Sequence, residues 1–384
     1  MQENLVRETY SLAHNMRVEY HSFLAPNGYT QAAIDNIKSM QSVGINVSLR
    51  CVHGKMVGNG FSVNEIKWIT SLLSSMSLED DIQFLHAIPT RWKSISLKKR
   101  KVALFVFENE KIPELWLSSL RSCEAVIVPS FFNKKSLDNC GVDNVYVIPH
   151  SIDSSVWNNS LTMPRSDNGN EIKVITIGTW RKRKNWKQMT LAMCEAIRCN
   201  KRIHWTMKID RSQPALVEIK SWLKDISCLE LLDSNIHIDS RVLDENSLAR
   251  LVSSHDILLS ASLGEGFGLP AMQACFAGLL VVCPNYGGYA EFFDQKCYYE
   301  IKSSGFCQID KMDNLAQFEK LYWPTYDKDS ILNALYLCMS NLYMSKAIID
   351  IVAKESIKKF NHQAVGLSFL NVLNTINAFT SHKN

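Results

Sequence analysis

One carboxylate set among glycines marks the most chemically suggestive stretch of the chain, Ser260 to Phe293 (SASLGEGFGLPAMQACFAGLLVVCPNYGGYAEFF). Glu265 opens a turn that runs Gly266-Phe267-Gly268-Leu269-Pro270, and Gly287-Gly288-Tyr289-Ala290-Glu291 closes the stretch. A carboxylate accepts hydrogen bonds from hydroxyl groups. The backbone amides of Gly266 to Leu269, at the start of a helix, suit a phosphate or a sugar hydroxyl. A second cluster stands earlier, at Arg181-Lys182-Arg183-Lys184-Asn185. Four cations at a strand end, leading into a helix N-terminus, make a positive well for a diphosphate.

The elements that must position these groups are legible in the apolar pattern. Ile257-Leu258-Leu259 reads as a buried strand, Pro270 to Ala274 as the opening of a helix, and Leu279 to Cys283 as a second strand. That is a βαβ unit with its glycine turns at strand C-termini, the edge where open α/β sheets bind ligands. The cationic turn has the same setting, after a strand at Lys173 to Ile177 and before a helix from Trp186 to Cys199. Further strands are expected at 203–209, 235–239 and 298–301, with helices at 215–223, 245–252 and 330–343.

The first half of the chain repeats the alternation. A strand at 17–24 leads through the turn Pro26-Asn27-Gly28-Tyr29 to a helix capped by Thr30 and ended by Gly44, then to a strand at 45–49. A short helix at 65–76 precedes a strand at 81–85 that ends in His86. Another strand, 102–107, ends in Glu108-Asn109-Glu110, and a strand at 125–129 and the segment Val145-Tyr146-Val147-Ile148-Pro149 follow. His86 thus stands at a strand C-terminal edge, placed to reach a cleft, and Glu108 follows the end of the next strand. Between the two halves, residues 158–171 are polar and aperiodic, a linker. The expected division is a first α/β domain over 1–160, a linker over 161–171, a second α/β domain over 172–345, and helices over 346–384.

Composition bounds the rest. With 384 residues the chain exceeds the usual single core, and 46% hydrophobic with 21% charged residues is ordinary for a globular protein. A net charge of +4 permits an anionic substrate without requiring nucleic acid or a membrane. The Lys98-Lys99-Arg100-Lys101 run and Arg91-Trp92-Lys93 leave a nucleic-acid acceptor open. Eleven scattered cysteines, with no zinc spacing, suit buried thiols in a reducing cytoplasm. The N-terminus lacks the pattern of a signal peptide, and no apolar run reaches the roughly 20 residues of a membrane span.

The Glu265 stretch resembles the donor-site signature of family 4 retaining glycosyltransferases, whose pattern is Glu, GFGLP, a second Glu eight positions after the first, and then GGxxE. Here Gln273 stands in place of the second Glu. The resemblance implies a GT-B fold, two facing doubly wound Rossmann-like domains with the active site in the cleft between them. It implies a nucleotide-sugar co-substrate (UDP-, GDP- or ADP-linked), no further cofactor and no metal. It also implies transfer to a glycan, a lipid-linked glycan or a small acceptor with retained anomeric configuration. By the same resemblance Glu265, His86 and Glu108 are the catalytic candidates. Gly28, Lys184 and either Arg181 or Arg183 face the donor phosphates. Arg241 and Val242 lie where the base is held by backbone groups, Gly266, Phe267, Gly268 and Leu269 line the donor turn, and Gln273 meets the ribose. Two other readings stay open: a transferase acting on hydroxymethylated DNA bases, and a non-catalytic nucleotide-sugar-binding pseudoenzyme.

Overall fold

The computed structural model describes residues 16–25, 27–52, 60–161, 171–210, 213–291, 298–308 and 321–381. The chain divides into two compact units, one of residues 1–154 with 357–384 and the other of residues 155–356.

In the first unit the chain runs β1 (Arg17–Ser22), α1 (Gly28–Ser42), β2 (Asn46–Cys51), α2 (Val63–Ser74), β3 (Ile82–His86), β4 (Lys101–Leu104), α3 (Glu114–Arg121), β5 (Ala125–Val128), α4 (Phe131–Asp138) and β6 (Val145–Val147). The strands form one parallel sheet in the order β2-β1-β3-β4-β5-β6. Successive strands run outward in opposite directions from β1, so the order reverses between β1 and β3. Two local readings change. Helix α1 starts at Gly28, because the cap is Asn27, whose side chain accepts from the Thr30 amide at 2.9 Å; the Thr30 hydroxyl instead donates to the Phe23 carbonyl at 3.0 Å. Strand β4 ends at Leu104, so Phe105 and Phe107 are buried in the loop beyond it and Glu108 lies on that loop.

In the second unit α5 (Ser154–Leu161) precedes β7 (Ile172–Gly178), α6 (Trp186–Cys199), β8 (Ile203–Ile209), α7 (Gln213–Asp225), β9 (Ile236–Asp239), α8 (Glu245–Ser253), β10 (Ile257–Leu259), α9 (Leu269–Phe276), β11 (Leu280–Pro284) and β12 (Tyr298–Ile301). These strands are parallel, in the order β12-β11-β10-β7-β8-β9. The order reverses between β7 and β10, the two strands that carry the cationic turn and the Glu265 turn. Ligands of doubly wound sheets bind at that reversal, outside the strand C-termini. A separate antiparallel pair, β13 (Gly305–Gln308) with β14 (Tyr322–Thr325), was not anticipated by periodicity. Helices α10 (Lys328–Ser340) and α11 (Leu342–Phe360) follow.

The expected polar linker begins as the end of α5, which runs to Leu161; residues 162–170 lie outside the described residues, as do Pro26 of the first turn and Phe292-Phe293 at the end of the Glu265 stretch. Finally α12 (His362–Ser381) supplies Val365, Phe369, Leu370, Leu373 and Ile376 to the core of the first unit, beside Val18, Tyr20 and Phe84. Gly366 permits this packing: a Cβ there would lie 2.2 Å from the Ser39 carbonyl oxygen of α1.

Candidate functional site

Two adjacent loops build the site in the second unit. Beyond β7 the chain bends into a short 3-10 turn over Lys182–Lys184, and Asn185 takes a left-handed conformation (φ 58°) to enter α6. Beyond β10 the loop is tied to that turn: the Leu263 amide donates to the Arg183 carbonyl at 2.8 Å, and Arg183 donates through Nη1 to the Gly264 carbonyl. The two loops therefore form one body. Trp180 stiffens it, stacking on Trp186 (centroids 5.4 Å apart) and on Trp222 of α7 (5.5 Å).

On this body the predicted acid and cations meet. Lys184 Nζ hydrogen-bonds Glu265 Oε1, and Arg183 Nη1 lies 3.3 Å from the same oxygen. Glu265 is buried, and burial alone would raise its pKa; the charges of Lys184 and Arg183, with hydrogen bonds from Lys184 and Ser262, outweigh that and hold it at about 2. The carboxylate is ionised throughout the neutral range. Arg183, not Arg181, is the arginine beside it; Arg181 is exposed at the start of the 3-10 turn.

The two glycine turns interlock behind Glu265. Gly288 donates its amide to the Glu265 carbonyl at 2.8 Å, and a Cβ on Gly288 would fall 2.4 Å from both the Gly266 carbonyl oxygen and Phe267 Cα. At Gly287 (φ 78°) a Cβ would lie 2.3 Å from the Glu265 carbonyl oxygen. Gly268 (φ 93°) caps α9 in a left-handed conformation and lies against the Tyr289 ring, whose hydroxyl is 2.6 Å from Ser260 Oγ. Glycines at these positions are thus a packing requirement: only bare backbone lets the second turn press on the first. Gly266 and Phe267 are buried, Leu269 is half-buried at the first position of α9, and Gln273 is buried one turn further on.

Arg241 and Val242 lie on the loop between β9 and α8. The Arg241 side chain is exposed and held by Asp239 (2.6 Å), while its carbonyl accepts from the buried Lys208 Nζ at 2.7 Å. This fixes the backbone of the loop from beneath.

The first-unit candidates gather at the reversal between β1 and β3. Gly28 is the exposed first residue of α1, and Tyr29 beside it lays its ring against His86 (centroids 4.3 Å apart). His86 is buried at the end of β3, with Nδ1 2.8 Å from Tyr20 Oη; Asn36 donates to that same hydroxyl at 3.1 Å. Burial, helped by nearby His150, pushes the His86 pKa down to about 3, so the ring is neutral. His150 is likewise lowered to about 4 by burial. Burial raises the Tyr29 pKa, and the charge of Glu108 adds to the effect. Tyr29, Tyr20 and His150 were passed over in the sequence. A tyrosine directly after the turn glycine was the available signal for Tyr29; the other two carry no local signature.

Two of the four cations in the basic run are paired. Lys98 Nζ pairs with Glu19 at 3.3 Å and donates to the Leu78 carbonyl at 2.6 Å, and Arg100 pairs with Glu124 at 3.1 Å. Lys99, like Arg91 and Lys93 of the other basic segment, is exposed. Among the described residues no cluster of histidine, cysteine or acidic side chains could hold a metal ion, and no helix is long and apolar enough to cross a membrane.

Residues 171–313, all within the second unit, match the family model of the glycosyl transferases group 1. The chain carries a glycosyltransferase domain, and it is an enzyme of that class. No curated protein matches the glycosyltransferase in sequence. Solved structures are similar over nearly its whole length. A glycosyltransferase from Rickettsia africae ESF-5 is 15% identical, with 94% of this chain and 98% of that one covered and a TM-score of 0.67. Anabaena HepE in complex with UDP-glucose is 12% identical, with 95% and 100% covered and a TM-score of 0.64. Sucrose-phosphate synthase from Thermosynechococcus elongatus is 11% identical, with 95% and 100% covered and a TM-score of 0.67. With its two parallel six-stranded sheets, the glycosyltransferase has the GT-B fold of these structures.

Proposed function

We propose that the glycosyltransferase moves a sugar from a nucleotide-sugar donor to an acceptor hydroxyl with retention of configuration, in the manner of family 4. The observation that carries the reading is the meeting of Lys184, Arg183 and Glu265 at the strand-order reversal of the second sheet. Two cations there suit a diphosphate, and a carboxylate held ionised suits the hydroxyls of the sugar attached to it. That HepE binds UDP-glucose supports a donor of this class.

In the proposed reaction the bond from the anomeric carbon to the diphosphate oxygen breaks while the acceptor oxygen bonds to the same carbon on the same face. The acceptor proton passes to the departing phosphate oxygen. Lys184 and Arg183 stabilise the charge gathering on the diphosphate, and Glu265 fixes the sugar through its hydroxyls. Leu269 and its neighbours at the N-terminus of α9 add backbone donors, Gln273 hydrogen-bonds the ribose without adding charge, and Arg241 with Val242 offers the base a fixed backbone edge. No metal or cofactor step is invoked.

In this reading residues 1–160 bind the acceptor, residues 172–345 hold the donor, and residues 346–384 return the chain to the first domain. Gly28 is the first-unit residue proposed to face the donor phosphates, and His86 and Glu108 are that unit's catalytic candidates. The acceptor is a glycan, a lipid-linked glycan or a small molecule. The buried free thiols of Cys194, Cys228, Cys283 and Cys338 suit a cytoplasmic location. A screen of UDP-, GDP- and ADP-sugars for hydrolysis and transfer tests the proposal. Turnover of one donor class that Glu265→Ala abolishes in a folded protein is the expected result. A wild type inert toward all three classes, yet able to bind them, would instead mark a binding protein.

A further inference from the structure

Glu265 has a second consequence, which rests on the donor-site reading above. The cations proposed for the diphosphate already have an anion: Lys184 hydrogen-bonds Glu265 Oε1, and Arg183 approaches the same oxygen at 3.3 Å. A nucleoside diphosphate entering this site must displace a carboxylate that belongs to the protein.

We propose that Glu265 is a built-in competitor for the diphosphate subsite, so that the site holds an intact sugar nucleotide in preference to the nucleoside diphosphate left after transfer. The geometry fixes the competition. Arg183 is anchored to the Gly264 carbonyl and the Glu265 backbone is pinned by the Gly288 amide, so neither cation nor acid can withdraw with its loop. What can move is the end of the lysine side chain. Its methylenes pass the bare backbone of Gly178, where a Cβ would stand in ordinary van der Waals contact at 3.4 to 3.5 Å.

When a sugar nucleotide binds, the sugar hydroxyls donate to Glu265 as Lys184 turns to the phosphates, and the carboxylate exchanges one partner for others. After the sugar leaves with the acceptor, Glu265 has lost those donors, and its attraction for Lys184 is again unopposed. The diphosphate is then held by cations that a buried charge is pulling back. Protonation does not relieve that pull near neutrality, since the carboxyl pKa is held at about 2. The device therefore favours product departure.

Calorimetric titration of the full chain with UDP, GDP, ADP, their glucose conjugates and inorganic pyrophosphate tests this, using wild type, Glu265→Gln and Glu265→Asp. Whichever nucleoside diphosphate binds wild type is expected to bind Glu265→Gln at least about threefold more tightly, because one nearby opposing charge is gone. Its sugar conjugate is expected to gain less or to lose affinity. Glu265→Asp keeps the charge but draws it back by one methylene, and its nucleoside-diphosphate affinity is expected to fall between the other two. Unchanged or weaker binding of the nucleoside diphosphate to a folded Glu265→Gln overturns the inference. If that variant fails to fold, the absence of any gain in Glu265→Asp overturns it. A wild type that binds none of the probes overturns the donor-site reading itself.

Discussion

The two sheets set their candidate groups in different electrical surroundings: an ion-paired acid in the second, and mainly buried neutral rings in the first, with the Glu108 carboxylate nearby. In the second unit the site is ionic, an acid held at about 2 between a lysine and an arginine. In the first unit the corresponding strand-order reversal holds neutral rings: His86 and His150 with pKa values pushed down by burial, and Tyr20 and Tyr29 with theirs pushed up. Charge binds charge, so the second unit suits the diphosphate. Neutral N–H, O–H and aromatic faces suit hydroxyl-bearing, uncharged ligands, which orient by hydrogen bonds and contact. The difference teaches that one architecture, used twice, becomes two kinds of subsite according to what stands at the reversal.

Removing charge from the ionic site should have the largest effect. Lys184→Ala is expected to lower kcat/KM by about a hundredfold to a thousandfold, the usual loss of a donor aimed at developing charge. Steady-state kinetics check this, and a loss under tenfold would break the contrast. Gly288→Ala forces a Cβ to 2.4 Å from two backbone atoms of the facing turn. It is expected to cost about 1–3 kcal/mol in denaturant unfolding, with turnover falling alongside.

Acid should separate the two units. His21, His86 and His150 in the first unit have lowered pKa values, as has His255 in the second. An imidazole with a depressed folded pKa stabilises fully above its unfolded value near 6.5, and loses that contribution as pH falls toward the folded value. From pH 7 to pH 5 the loss is expected to be about 1–2 kcal/mol for His86 and for His150. Glu265, lowered to about 2, keeps its contribution over that range and loses it only below the ordinary carboxylate value of 4.5. Hydrogen exchange should therefore show β1 and β3 opening before β7 and β10. The smallest effect belongs to Arg241→Ala: its ion pair is 71% exposed on the arginine side, so the denaturation midpoint should barely move. Donor affinity should change as little, because only its carbonyl faces inward.

Most of this architecture was legible because strand and helix periods are local. The strands carrying the cationic turn and the Glu265 turn were placed within a residue or so, and the meeting of Lys184 with Glu265 follows once the two strands are neighbours. What stayed hidden depends on tertiary contact. That Arg183 rather than Arg181 lies beside Glu265 is set by a carbonyl of the facing loop. The role of Gly287 and Gly288 is to pass beneath Glu265, which spacing alone cannot show. The Trp180 stack draws on Trp222, from a different crossover. Asn27 displaced Thr30 as the cap because both residue types suit that position, and only the backbone decides between them.

Helix α12 carries one more consequence, in the order of synthesis. The first sheet is nearly finished by residue 154, yet its core lacks Phe369, Leu370 and Leu373 until the last helix has been made. The second unit is contiguous in sequence and has no such wait. On the ribosome the usual sequence is reversed: the later-encoded unit can complete its fold first, and the earlier one remains open at α1 until its final turn emerges.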